Sequence, residues 1–134
     1  MADLIYVCEK GGLGFGDYTL AEKSKLSDFP YLGDLYKVKT FTEITKLEKN
    51  GSFVYESVPG TKVVGFVEED RKISFCVEGN GNTQITLDLE EEKEYRIFVD
   101  GTNLGNMTTN IGGKLVLSVD LSTGQPQDVV IERI

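Results

Sequence analysis

LVLSVDL, residues 115–121, alternates without a break: Leu115, Leu117, Val119 and Leu121 fall on one side, Val116, Ser118 and Asp120 on the other. Successive side chains of a β-strand point to opposite faces, so this period of two is the pattern of a half-buried strand. The same pattern recurs upstream. ISFCV (73–77) aligns Ile73, Phe75 and Val77. ITLDL (85–89) aligns Ile85, Leu87 and Leu89 against Thr86 and Asp88. YRIFV (95–99) aligns Tyr95, Ile97 and Val99. Each set reads as a core face.

Turn chemistry separates these runs. Asn50-Gly51 lies between TKLEK and SFVYES, and Asp100-Gly101 follows YRIFV. Both dipeptides supply the two positive-φ positions that a tight, correctly twisted hairpin needs. Pro59-Gly60, Glu69-Asp70, Gly79-Asn80-Gly81-Asn82 and Gly112-Gly113 punctuate the rest, so turns recur roughly every ten residues from residue 50 onward. That spacing predicts an all-β fold, an antiparallel β-sandwich of Ig-like or jelly-roll type with about eight to ten strands. One domain covering residues 1–134 is the expectation from length.

The first third is less regular. Residues 3–8 read as a strand, and 34–41, DLYKVKTF, as another, with Tyr36 and Val38 against Lys37 and Lys39. In 41–48, FTEITKLE, the spacing of Phe41, Ile44 and Leu47 admits a short helix. The β-branched Thr42, Ile44 and Thr45, with the hairpin signal after them, favour a strand. Within residues 19–33 the helix candidate LAEKSKLSDF shows no apolar stripe and is ended by Pro30, which predicts a loop or one helical turn.

Composition excludes more than it selects. The net charge of −8 is lopsided: residues 1–67 carry 8 basic and 9 acidic groups, residues 68–134 carry 6 and 13. An acidic half repels phosphate backbones and anionic bilayers, so neither nucleic acid nor membrane insertion is an expected partner. There is no histidine, so Ser-His-Asp and Cys-His nucleophile systems are ruled out. Cys8 and Cys76 are too few for a disulfide framework and are not in C-x-x-C spacing. No cofactor or metal is expected. MADLIYVCEK lacks the basic and apolar regions of a signal peptide. A cytoplasmic location is therefore the expectation. The alternative is a surface or virion reached by a route this chain does not encode.

Four glycines crowd EKGGLGFGDY: Gly11, Gly12, Gly14 and Gly16. The dinucleotide fingerprint requires Gly at i, i+2 and i+5. Counted from Gly12 or Gly14 the third position is Asp17 or Thr19, and no Gly-Lys-Ser/Thr follows. The stretch reads as a bend or a close backbone crossing. EGNGNT (78–83) begins like a calcium loop, but Thr83 stands at position six and Leu89 at position twelve. An ordinary turn fits better. Glu90, Glu91, Glu92 and Glu94 read as a solvated turn. Glu56 is the most plausible single catalytic carboxylate, on a strand position better read as facing solvent. With no Trp available for sugar stacking, Phe15, Tyr18, Tyr31, Tyr36 and Tyr55 remain, and Tyr36 and Tyr55 fall on apolar faces.

The informative anomaly is on the outward positions. Arg96 and Phe98, Val116 and Cys76 occupy nominally exposed sides of their strands. Apolar groups there imply a covered or contacting surface. Either the irregular first third packs across it, or a second subunit does. Phe98, Val116, Cys76 and Arg96 are the candidate interface.

FGDYTLAEKSKLSDF, GDLYKVKTFTEITKLEKNGSFVYESVPGT and EYRIFVDGTNLGNMTTNIGGKLVLSVDL resemble a family of short clostridial proteins that carry the label endosialidase. The C-terminal part is also similar to β-sandwich modules of polysaccharide-degrading enzymes. The resemblance implies glycan binding or cleavage of polysialic acid, for which sialidases use three arginines. This chain has Arg71, Arg96 and Arg133 with no motif joining them, and no catalytic residue carries over. The reading from sequence is a non-catalytic interaction or assembly module, a homo-oligomer or one bound to a protein partner. A glycan-binding or glycan-processing protein is the alternative. An enzyme, if it were one, would be a carboxylate-based glycosidase.

Overall fold

The computed structural model describes residues 3–134. Among them are thirteen strands and no helix. The strands are β1 (Ile5–Val7), β2 (Leu13–Phe15), β3 (Ser24–Tyr31), β4 (Asp34–Phe41), β5 (Ile44–Lys49), β6 (Ser52–Val58) and β7 (Thr61–Glu69), followed by β8 (Lys72–Gly79), β9 (Asn82–Asp88), β10 (Glu94–Val99), β11 (Thr102–Thr108), β12 (Lys114–Asp120) and β13 (Gln127–Arg133). They form two antiparallel sheets, one of seven strands in the order β1-β2-β7-β8-β13-β10-β11 and one of six in the order β12-β9-β6-β5-β4-β3. The fold is the antiparallel β-sandwich that the alternation predicts, with thirteen strands among the described residues in place of the expected eight to ten.

The inward faces are the ones the sequence marks. Ile73, Phe75, Val77, Ile85, Leu87, Tyr95, Ile97, Leu115, Leu117, Val119 and Leu121 are all buried in one cluster fed by both sheets. Both tyrosines assigned to apolar faces, Tyr36 and Tyr55, belong to it. Asn50 and Gly51 adopt φ of 52° and 82°, Asp100 and Gly101 φ of 49° and 78°, the positive values those hairpins require. Residues 44–49 settle as a strand, β5, rather than a helix.

Two expectations for the first third are corrected. Residues 24–31 form an eight-residue strand, β3, where a loop or helical turn is predicted. β3 is the edge of the six-stranded sheet, with a bulge between Leu26 and Phe29 and positive φ at Asp28. The bulge breaks the period of two, and an edge position tolerates Pro30. Only in part does this third reach the outer face of the seven-stranded sheet: Asp3 and residues 6–11 border a groove there with Val64, Cys76 and Val130. β3 and β4 pair into the opposite sheet, because Tyr36 and Val38 complete its inner face.

A fully satisfied polar network joins the two sheets. Thr45 Oγ1 donates to Thr61 O at 2.9 Å and accepts from Thr61 N at 3.0 Å. Thr40 Oγ1 lies 2.8 Å from Thr45 Oγ1 and accepts from Asp17 N at 2.9 Å. The Tyr55 hydroxyl and Ser57 Oγ each lie 2.8 Å from Thr61 Oγ1. Burial pushes the Tyr55 phenol well above its ordinary pKa, while Thr61 and Ser57 pull it the other way. Beside this network Tyr55 meets the Phe15, Phe66 and Phe75 rings edge-on, at 5.2, 6.2 and 5.7 Å between centroids.

Candidate functional site

The seven-stranded sheet has one strand more than the sheet it faces, and the surplus lies at β11. Every residue of Thr102–Thr108 is exposed. The register sets Met107 opposite Tyr95 and Gly105 opposite Ile97, so Met107 and Gly105 share the inward side of the sheet with two buried residues. Tyr95 and Ile97 are 4% and 1% exposed, yet Met107 is 42% exposed. The core ends at β10, and β11 overhangs it. Leu104, the extra residue of the bulge opposite Ile97 and Phe98, is 57% exposed. In the following turn Ile111 is 78% exposed.

β11 differs from the other edges. β1 is three residues long. β3 carries Lys25 and Pro30, which are common protections against strand addition; its bulge is matched by the one at Leu104 on β11. β12 carries Lys114 and Asp120. Residues 101–113, GTNLGNMTTNIGG, contain no charge at all. That uncharged run was the available signal for this edge, and alternation alone missed it.

The outward candidates separate onto two sides of the sandwich. Phe98, Arg96 and Cys76 lie on β10 and β8 of the seven-stranded sheet, and Val116 lies on β12 of the six-stranded one. All four point outward, so Val116 faces away from the other three, and the four do not form one surface. Phe98 is half-buried and stands in register with Val130 and Asn103. The Arg96 guanidinium lies 3.8 Å from the Glu132 carboxylate.

Cys76 instead lines a groove of about 890 Å³ on the outer face of the seven-stranded sheet, with Tyr6, Cys8, Val64, Asp128 and Val130. Both free cysteines therefore border one cavity. Cys8 Sγ accepts from Gly65 N at 3.4 Å. Burial, then the neighbouring Asp128 carboxylate, pushes the Cys76 thiol pKa up, which keeps it the neutral, less nucleophilic form. The glycine stretch meets this groove at its first residue. Gly11 lines it, and a Cβ on Gly14 would run into the Tyr6 ring. At Gly16, φ is +93° and a side chain would strike the Thr61 carbonyl. Gly12 completes the β1–β2 turn by accepting from Cys8 N at 2.9 Å. Gly12, Gly14 and Gly16 answer a need for close packing, and Gly11 a positive φ of 99°.

The remaining candidates stand apart. Glu56 faces outward on β6 between Lys46 and Thr86, with no carboxylate in register beside it. Glu78 accepts from the Tyr18 hydroxyl at 3.1 Å; burial first, then this carboxylate, raises the Tyr18 pKa. Glu90 pairs with Arg133, and its carbonyl accepts from Thr109 Oγ1 at 2.6 Å. Arg133 shares a side of the sheet with Tyr95, and Arg96 takes the other, so the arginines do not converge on one carboxylate. Among the described residues no three Cys, Asp or Glu side chains gather as a metal site, and no helix is long and apolar enough to cross a membrane. Compared with protein-family models, with curated proteins and with solved structures, the chain matches none.

Proposed function

We propose that this β-sandwich is a non-catalytic assembly module that pairs with a second copy of itself along β11. One observation carries the reading: a seven-residue edge strand exposed at every position, overhanging the core and free of charge. An edge free of charge and proline presents unpaired backbone groups to any strand that can align with it. In a chain of net charge −8, a neutral edge is where two copies approach with least repulsion. Antiparallel pairing of β11 with β11 about a twofold axis closes the assembly as a dimer. It also covers Leu104 and Met107.

Light scattering coupled to size exclusion tests this. The wild type elutes with the mass of two chains, and Leu104→Asp/Met107→Asp with that of one. A monomeric wild type at all accessible concentrations overturns the proposal.

The groove favours a second reading, glycan binding, and the resemblance to endosialidase-labelled proteins belongs with it. Its volume suits a small ligand, and Tyr6 offers one aromatic face. A glycan array that includes polysialic acid, run with wild type and Tyr6→Ala, tests this reading. Its expected result is a signal that the substitution removes.

A further inference from the structure

Charges in cross-strand register on this protein are almost always paired with their opposites. Lys37 faces Glu48, Lys46 faces Glu56, Lys62 faces Glu78, Lys72 faces both Glu69 and Glu132, Arg96 faces Glu132, and Lys114 faces Asp88. Among the described residues one row departs from this. Lys25 on β3 faces Lys39 on β4, which faces Lys46 on β5. Like charges directly opposite one another destabilise a sheet. Edge protection explains Lys25 on the edge strand, and Lys46 has Glu56 across from it and Glu48 Oε2 at 3.9 Å from its Nζ; Lys39, on an interior strand, has a lysine on both sides.

The row is also concave. Lys25, Lys37, Lys39 and Lys46, with Glu48, enclose a depression of about 120 Å³, room for one tetrahedral oxyanion. Lys23, whose Nζ sits 5.7 Å from the centre of the Phe41 ring, flanks it. Strands lie about 4.8 Å apart, so the three registered lysines span roughly 10 Å. Their flexible stems can bring several ammonium groups onto a single anion. Burial first, then the charges of Lys23, Lys46 and Lys25, pulls the Lys39 pKa below its ordinary value, with Glu48 as the one offsetting charge. An anion seated there offsets the like-charge repulsion.

We infer that the lysine row of β3, β4 and β5 is a binding site for a multiply charged oxyanion, a phosphate or sulfate group on a small or short-chain ligand. The acidic remainder of the chain argues against a long phosphate backbone but leaves a single group or a short run of charge unhindered. The site is on the outer face of the six-stranded sheet, away from the groove, and it stands or falls independently of pairing at β11.

Thermal unfolding of the full chain at low ionic strength tests it, with inorganic tripolyphosphate and a sulfated oligosaccharide as separate probes and Lys39→Gln/Lys46→Gln as the control variant. Without a probe the variant melts at or above the wild-type temperature, since the like-charge pairs are gone. With a probe the wild-type Tm climbs with the logarithm of its concentration, and the variant's does not. Titration calorimetry should show binding weakened about tenfold for each lysine removed. A response to tripolyphosphate alone assigns a phosphate group, and a response to the sulfated sugar alone assigns a sulfate. Equal shifts in wild type and variant, or none in either, overturn the site. A variant that loses self-association in light scattering also overturns it, because the row is then a contact between copies.

Discussion

The two flanks of the sandwich finish differently. Around β2, β5, β6 and β7, four aromatic rings and a hydroxyl network fill the space between the sheets, and every buried side-chain polar atom among the described residues has a partner. At β11 neither face of the strand is covered. One flank is complete within a single chain, and the other carries a strand that contributes little to the core. The packing between the sheets and the strand proposed for pairing therefore lie in different parts of the molecule, and substitutions can separate them.

The largest effect belongs to the closed flank. Phe15 is fully buried and packs its ring against Tyr55 and Phe66 at 5.2 and 5.5 Å. Phe15→Ala should cost about 3–5 kcal/mol in urea unfolding, the usual range for emptying such a site. A cost near zero would mean that this flank is no better packed than the open one.

Thr45→Val comes next. It removes the hydroxyl that both donates to and accepts from the Thr61 backbone and leaves two buried groups without partners. About 2–3 kcal/mol should be lost. Thr45→Ser keeps the hydroxyl and should lose less than Thr45→Val.

Alkaline pH probes the same flank. Tyr36 titrates at about 12 instead of 10.0, chiefly through burial and then through Glu68 and Asp34, and Tyr55 is raised as well. The folded chain therefore holds protons that the unfolded chain has already lost. The stabilisation is complete below pH 10 and declines as pH rises toward 12. Its slope is at most ~1.4 kcal/mol per pH unit for each tyrosine. Chemical denaturation at a series of alkaline pH values should show the decline, and Tyr36→Phe should flatten it.

Much of the fold was legible in the sequence, for identifiable reasons. β4, β8, β9, β10 and β12 announce themselves because each has one buried and one wet face, the condition under which alternation appears. β3 has no buried residue, so no periodicity could mark it. Its hairpin turns on Leu32-Gly33, with Leu32 at φ 50° and 82% exposed, and leucine is not a residue that signals a positive φ. The outward positions were read correctly strand by strand, but alternation assigns a face only within its own strand. Which sheet a strand joins depends on pairings distant in sequence. That is why Val116 and Phe98, both outward, end on opposite sides. The bareness of β11 depends on what is missing across from it, which TNLGNMT alone could not report.

The smallest expected effect bears most on the proposed function. Met107→Asp puts a charge on the inward side of β11, where a strand in a complete sandwich would bury it at a cost of several kcal/mol. Met107 is already 42% exposed, so the monomer should change by no more than about 0.5 kcal/mol, as at an ordinary surface position. The same substitution places two like charges beside the twofold axis of a β11–β11 pair and should abolish the dimer. Urea unfolding of a dilute sample reads the first quantity, and sedimentation across a concentration series reads the second. A large loss of monomer stability would show that β11 is covered by its own chain in solution, and the distinction between a closed and an open flank would fail. Unchanged stability with unchanged self-association would leave the flanks distinct but move the contact between copies to another surface.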